Sequence, residues 1–181
     1  MTKRKVFVGG GLTVLVLSLD LLTKWWALQA LQPGHSEELL GGLLPLTLAF
    51  NTGAAFGLTI GEDPRWIFVP VTLVAVVFLA SLIRSAEPDD HLRVVAAALV
   101  LGGAFGNLYD RIRWDRGVVD FLGPIDLGFM LWPIFNVADM AITTGAILLG
   151  ISFWREGSAH EEEREAEISS GSRTSDLLDP Q

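Results

Sequence analysis

Apolar residues in this chain gather into four long runs, at 6–28, 66–83, 92–109 and 133–154, with shorter polar segments between them. A helix needs about 20 residues to cross a bilayer core of about 30 Å, and each run is long enough. Lipid offers the backbone no hydrogen-bond partners, so all four are predicted to be transmembrane helices. Between the first two, residues 39–56 mix β-branched and aromatic residues with glycine and proline at the edges. That pattern fits short strands or an interfacial segment and does not choose between them. From residue 157 the chain is rich in Glu, Ser and Arg and has little to bury, which predicts a disordered tail. The expected organisation is one membrane domain, 1–156, and an acidic tail, 157–181. No internal repeat is evident.

The first run has a competing reading, because a basic start (Lys3, Arg4, Lys5) followed by an apolar stretch also describes a secretory signal peptide. Its length, the lack of an A-x-A site after it, and Asp20 and Lys24 inside it argue against cleavage. The same basic cluster favours a cytoplasmic N-terminus. Arg84 and Arg93 flank a short second loop on that side, and four spans return the C-terminus there too. Arg111, Arg113 and Arg116 break this rule by falling outside. Either the orientation is wrong or those arginines have work there.

Composition narrows the classes further. Half the residues are hydrophobic, 19% are charged and the mean hydropathy is +0.44, high for a soluble domain. The net charge of −8 is mostly the tail, where eight acids face two arginines from Glu156 onward. No basic patch interleaved with aromatics supports nucleic-acid binding. Cysteine is absent, which excludes disulfides, thiolate metal sites and a cysteine nucleophile. The three histidines show no ligand spacing, so neither a metal nor a cofactor is expected. The six tryptophans mostly flank the runs and fit interfacial anchoring.

Polar groups inside the runs are costly and therefore functional candidates. Asp20 and Lys24 lie roughly 6–12 Å from the outer end of the first helix, on one face at i, i+4 spacing. They read as a structural ion pair rather than a catalytic one. Asn107, Asp110 and Arg111 end the third helix, with Asp110 expected to pair with Arg111 or Arg113. Asn136 and Asp139 share a face of the fourth, with Asp139 roughly 9 Å in and no cation in its own span. All fall at the outer-leaflet level, which one shared site explains. Gly102, Gly103 and Gly106 give the third helix a bare surface for close approach. The stretch from Asn51, with Gly53 and two alanines, leaves similar room beside an extended chain. A transporter or proton conductor would use the same residue types, yet it needs polar groups continuing to the inner face. A non-enzymatic assembly factor would leave the carboxylates unexplained.

Five segments together resemble the lipoprotein signal peptidase family, also called signal peptidase II. They are Asp20-Leu-Leu-Thr-Lys24, Asn51-Thr-Gly-Ala-Ala-Phe56, Gly102-Gly-Ala-Phe-Gly-Asn-Leu-Tyr-Asp-Arg111, Val118-Val-Asp-Phe121 and Phe135-Asn-Val-Ala-Asp139. They occur in the family's order over about residues 5–155. Met140, where a smaller residue is more usual, and the acidic tail depart from the pattern. The resemblance implies an all-α membrane fold of four transmembrane helices, with a small external β element and a short surface helix. It implies an aspartyl endopeptidase of the bacterial inner membrane, cleaving prolipoproteins before a diacylglyceryl-modified cysteine. Its partners would be that substrate and membrane lipids, and nothing requires more than a monomer. The catalytic pair falls on Asp120 and Asp139, supported by Asp20, Lys24, Asn51, Gly53, Asn107, Arg111 and Asn136. Without the resemblance Asp120 reads as an ordinary loop carboxylate. Two carboxylates sharing a proton suit peptide hydrolysis, since like charges keep both from ionising and one can act as base while the other acts as acid.

Overall fold

The computed structural model describes residues 3–39, 44–53, 65–87 and 89–177. Four helices are long and apolar enough to cross a membrane: α1 (Lys3–Ala30), α2 (Arg65–Ser85), α3 (His91–Arg113) and the first half of α4 (Val137–Leu177). Strands β1 (Ser36–Leu39) and β2 (Leu44–Asn51) follow α1. Strands β3 (Val118–Leu122), β4 (Ile125–Asp126) and β5 (Leu131–Trp132) lie between α3 and α4. The sheet is antiparallel in the order β1-β2-β3, and β4 and β5 form a separate hairpin. The segment 44–51 is thus strand, which settles the choice left open between strand and interfacial segment. Residues 54–64 lie outside the described residues, and no separate short helix occurs among the described ones.

Helix α3 is the centre of the bundle, packed on α1, α2 and α4. In its apolar stretch 61% of residues are buried, against 6% in α2, whose apolar surface is mostly exposed. Small residues make this possible. Ala96, Ala97 and Ala98 are fully buried, and a Cβ on Gly103 would collide with the Ala138 carbonyl of α4. The sheet sits on the end of α1: Ala27 and Leu31 pack with Leu46 and Leu48 of β2 and Val119 and Phe121 of β3. Side chains alternate across a strand, so with Val119 and Phe121 in this core, Asp120 points to the other face.

Two expectations change. The fourth run begins at 133, but α4 begins at Val137. Phe135 is held extended against β3, exchanging hydrogen bonds with Leu122 at 2.9 Å in both directions. The predicted disordered tail is also drawn differently, because α4 continues as helix through Leu177. Residues 156–167 are largely Glu, Ala and Arg, good helix formers. Extending an existing helix carries no nucleation cost.

Candidate active site

The start of α4 organises the site. Asn136 is its N-cap: the side-chain Oδ1 accepts from the Asp139 N–H at 2.9 Å, and the Asp139 Oδ2 accepts from the Asn136 N–H at 3.2 Å. This is a reciprocal capping box, built here from Asn and Asp. Asp139 therefore lies in the first helical turn, roughly 3 Å along the axis rather than 9 Å. The neighbouring Ala138 N–H donates to Asp20 Oδ1 of α1 at 2.9 Å. Three of the four orphan donors at this helix end are thus satisfied by side chains, and the positive end of the helix dipole lies beside both carboxylates.

Asp20 belongs to a buried ionic knot. Lys24 Nζ lies 2.7 Å from Asp20 Oδ2 and 3.0 Å from Asp110 Oδ2, and donates to Asn107 Oδ1 at 3.0 Å. Asp110 also accepts from the Val119 N–H of β3 at 3.2 Å. Asp110 is therefore paired with Lys24, not with Arg111 or Arg113. The face it shares with Asn107, at i, i+3 spacing, points at α1. A Cβ at position 106 would collide with Asp20 Oδ2, so glycine is needed there for the knot to close.

Beside the knot stand the two candidate catalytic acids. Asn136 Nδ2 donates to Asp120 Oδ1 at 2.6 Å, with Asn107 Oδ1 at 3.2 Å and the Val119 carbonyl at 3.3 Å also within its reach. Asn107 Nδ2 donates to Asp139 Oδ1 at 2.8 Å. Asn51, across from β3, hydrogen-bonds the Asp120 carboxyl, and its own Oδ1 is held by the Gly53 N–H at 3.0 Å. Asp120 is buried, 3% exposed, while Asp139 is half-buried and faces open space. Burial first, and the Asp139 charge second, push the Asp120 carboxyl up to about 7; the donors Asn51 and Asn136 work in the opposite direction.

Arg111 approaches from the side. Its guanidinium reaches the Asn107 carbonyl at 3.3 Å and the Gly53 carbonyl at 3.4 Å, and lies 5.0 Å from the centre of the Phe68 ring on α2. It interacts electrostatically with Asp139 and Asp120. Both acids open onto a cavity of about 790 Å³ between β2, the 132–135 segment and α4. Ile134, Phe135, Met140 and Ile142 make its apolar wall, with Thr143 and Thr144 further along α4. The arrangement can hold a peptide bond beside two carboxyls and an apolar chain beneath them.

All nine residues singled out in the sequence meet at this one end of the bundle. Residues 54–56 of the second motif lie outside the described residues. Sequence reasoning missed Ala138, whose contribution is a backbone N–H, and Phe68, whose position on α2 carried no polar signal. It also placed Asp120 in a loop rather than on a strand, although the Val-Val-Asp-Phe alternation was available to read.

Residues 12–155 match the family model described as signal peptidase (SPase) II. The chain belongs to the signal peptidase II family. The lipoprotein signal peptidase of Moorella thermoacetica is 43% identical over 138 residues, covering 76% of this chain and 87% of that protein. The lipoprotein signal peptidase of Syntrophotalea carbinolica is 40% identical over 151 residues, covering 83% and 92%. A bacterial membrane enzyme solved by the in meso method at 2.3 Å resolution superposes with a TM-score of 0.75 at 30% identity, covering 85% of this chain and 92% of that one. Signal peptidase II membership makes this chain a multi-pass membrane protease, and the transporter reading is not favoured.

Proposed function

We propose that the chain is an aspartyl endopeptidase that removes signal peptides from bacterial prolipoproteins, cutting before a cysteine that carries diacylglycerol. The observation that carries this reading is the pair Asp120 and Asp139 opening together onto one apolar-walled cavity, in a chain whose relatives are named lipoprotein signal peptidases. The Asp120 carboxyl, pushed up to about 7 by burial and by the Asp139 charge, allows one proton to be held near neutrality. The proton belongs to the pair, so neither acid is assigned a fixed role. Whichever carboxylate is ionised takes a proton from a water as the water oxygen bonds to the scissile carbonyl carbon and the carbonyl π pair moves onto its oxygen. The protonated partner then gives its proton to the leaving nitrogen as the C–N bond breaks. The carbonyl re-forms, one water is consumed, and the dyad is left with a single proton, now on the carboxyl that took it from water. Asn51, Asn107 and Asn136 are neutral donors, able to orient the acids without cancelling either charge.

The membrane unit, residues 1–156, carries this activity, with the acidic segment beyond it outside the site. A cytoplasmic N-terminus puts the cavity at the outer leaflet of the inner membrane, where a diacylglyceryl cysteine would lie with its acyl chains along the α4 wall. In cysteine-accessibility mapping on intact cells, a cysteine at Glu37 should be labelled from outside and one at Glu87 should not. The reverse pattern would overturn the orientation. Function is tested by purified cleavage of diacylated precursor. Asp120→Asn and Asp139→Asn proteins should fold, insert and leave it uncut, and full-rate cleavage by either would sink the dyad.

A further inference from the structure

The three arginines at the site end of α3 do different things. Arg111 turns inward to the acids, whereas Arg113 and Arg116 are exposed and brace on one indole. Their guanidinium carbons lie 4.6 and 4.8 Å from the centre of the Trp114 ring. Arg116 is also 5.1 Å from the Phe50 ring and Arg113 is 5.8 Å from that of Tyr109. The indole is itself fixed: its Nε1–H donates to the Gly117 carbonyl at 2.7 Å, and it meets Phe50 edge-on at 6.2 Å. Among the described residues, the ion pairs found involve neither arginine.

Depth identifies what such a pair would meet. Arg113 is the last residue of the third span. Tyr109, one turn before it, and the adjacent Ile112 are 45% and 66% exposed, as a lipid-facing surface would be. The guanidiniums therefore sit at headgroup level. Arginine matches phosphate oxygens with paired N–H donors, and stacking on an aromatic ring spares part of the entropy lost on binding. We propose that Arg113 and Arg116, braced on Trp114, form a binding site for the phosphate of an anionic phospholipid in the leaflet at the site end. Among the described residues neither arginine forms a salt bridge, not even with Asp115 between them, and two such positive charges favour an anionic headgroup over a zwitterionic one, whose own cation they repel. The site is also mechanically joined to the acids. Gly117, at φ +93°, lies so close to the Asn51 carbonyl that a Cβ there would collide with it, and Asn51 holds Asp120. A bound headgroup would steady the strand beside the dyad.

The test is lipid binding by the full-length protein in detergent, read by native mass spectrometry while phosphatidylglycerol or phosphatidylcholine is titrated. Wild type should retain phosphatidylglycerol preferentially. Each arginine should contribute about fivefold, so Arg116→Gln weakens retention by about that factor and the Arg113→Gln, Arg116→Gln double variant by roughly thirtyfold. A double lysine variant should keep part of the preference, because charge remains while stacking and paired donation are lost. Equal phosphatidylglycerol retention by wild type and the double glutamine variant would overturn the proposal. Displacement of the lipid by an equal concentration of inorganic phosphate would overturn it too, by marking a free-anion site. Because binding is read directly, the outcome does not depend on the peptidase reading.

Discussion

Two pairs of carboxylates share one end of this bundle, and they meet different company. Asp20 and Asp110 grip Lys24 between them at 2.7 and 3.0 Å. Among the described residues, Asp120 and Asp139 take their hydrogen bonds from asparagines, with Arg111 acting on them as a neighbouring charge. Where a cation sits between two acids it ties both into a structural cluster. Where neutral donors replace it, burial and the neighbouring acid push the Asp120 carboxyl up to about 7, which is what the proposed proton transfer requires. Charge count alone does not separate structure from chemistry here; the position of one ammonium group does.

The sharpest way to break that contrast is to remove a member of the uncompensated pair. Asp120→Asn or Asp139→Asn should lower kcat by at least about a thousandfold in a purified cleavage assay. Asp120→Asn should at the same time be at least as stable as wild type at pH 8, because a buried carboxylate no longer has to ionise. The folded carboxyl holds its proton up to about 7 while the unfolded one loses it near 3.8, so wild-type stability falls as pH rises between those values. Lys24→Met should do the opposite. Stripping the cation from a buried cluster should cost about 3–5 kcal/mol of stability, read as a large drop in Tm.

The asparagines allow a finer cut. Removing Asn136 should weaken α4 by about 0.5–2 kcal/mol through the lost cap and also depress kcat. Asn51→Ala should leave the cap intact. Both amides hold the Asp120 carboxyl down, so both variants should move the alkaline limb of kcat/KM upward from near pH 7. A limb that does not move in either would separate Asp120 from the rate. The smallest effect should come from the opposite end, where Arg93 meets Glu156 at 2.6 Å with the acid side chain 46% exposed. Glu156→Gln should change stability by about 1 kcal/mol or less and leave cleavage untouched.

Hydropathy made the four spans legible, and polar residues inside apolar runs are conspicuous enough to mark nearly the whole site. What stayed hidden has a common cause. The true start of α4 depends on Phe135 pairing with Leu122, a contact between residues far enough apart that no local pattern reports it. Asp110's partner lies on another helix, so the adjacent arginines were the natural but mistaken choice. Asp139 was distinguishable by its isolation within a span. Asp120 was recognisable chiefly through family resemblance, because a carboxylate between valine and phenylalanine becomes unusual only once a sheet buries it.

The capping box at Asn136 has a consequence for timing. Asp139 is aimed by the same two hydrogen bonds that begin α4, and Asp20 of α1 completes that helix end. The first and last spans must therefore meet before the second acid is in place. A growing chain that has inserted three helices carries Asp120 but has no way to fix its partner. On the proposed reading, docking of the last span on the first is the step that completes the dyad.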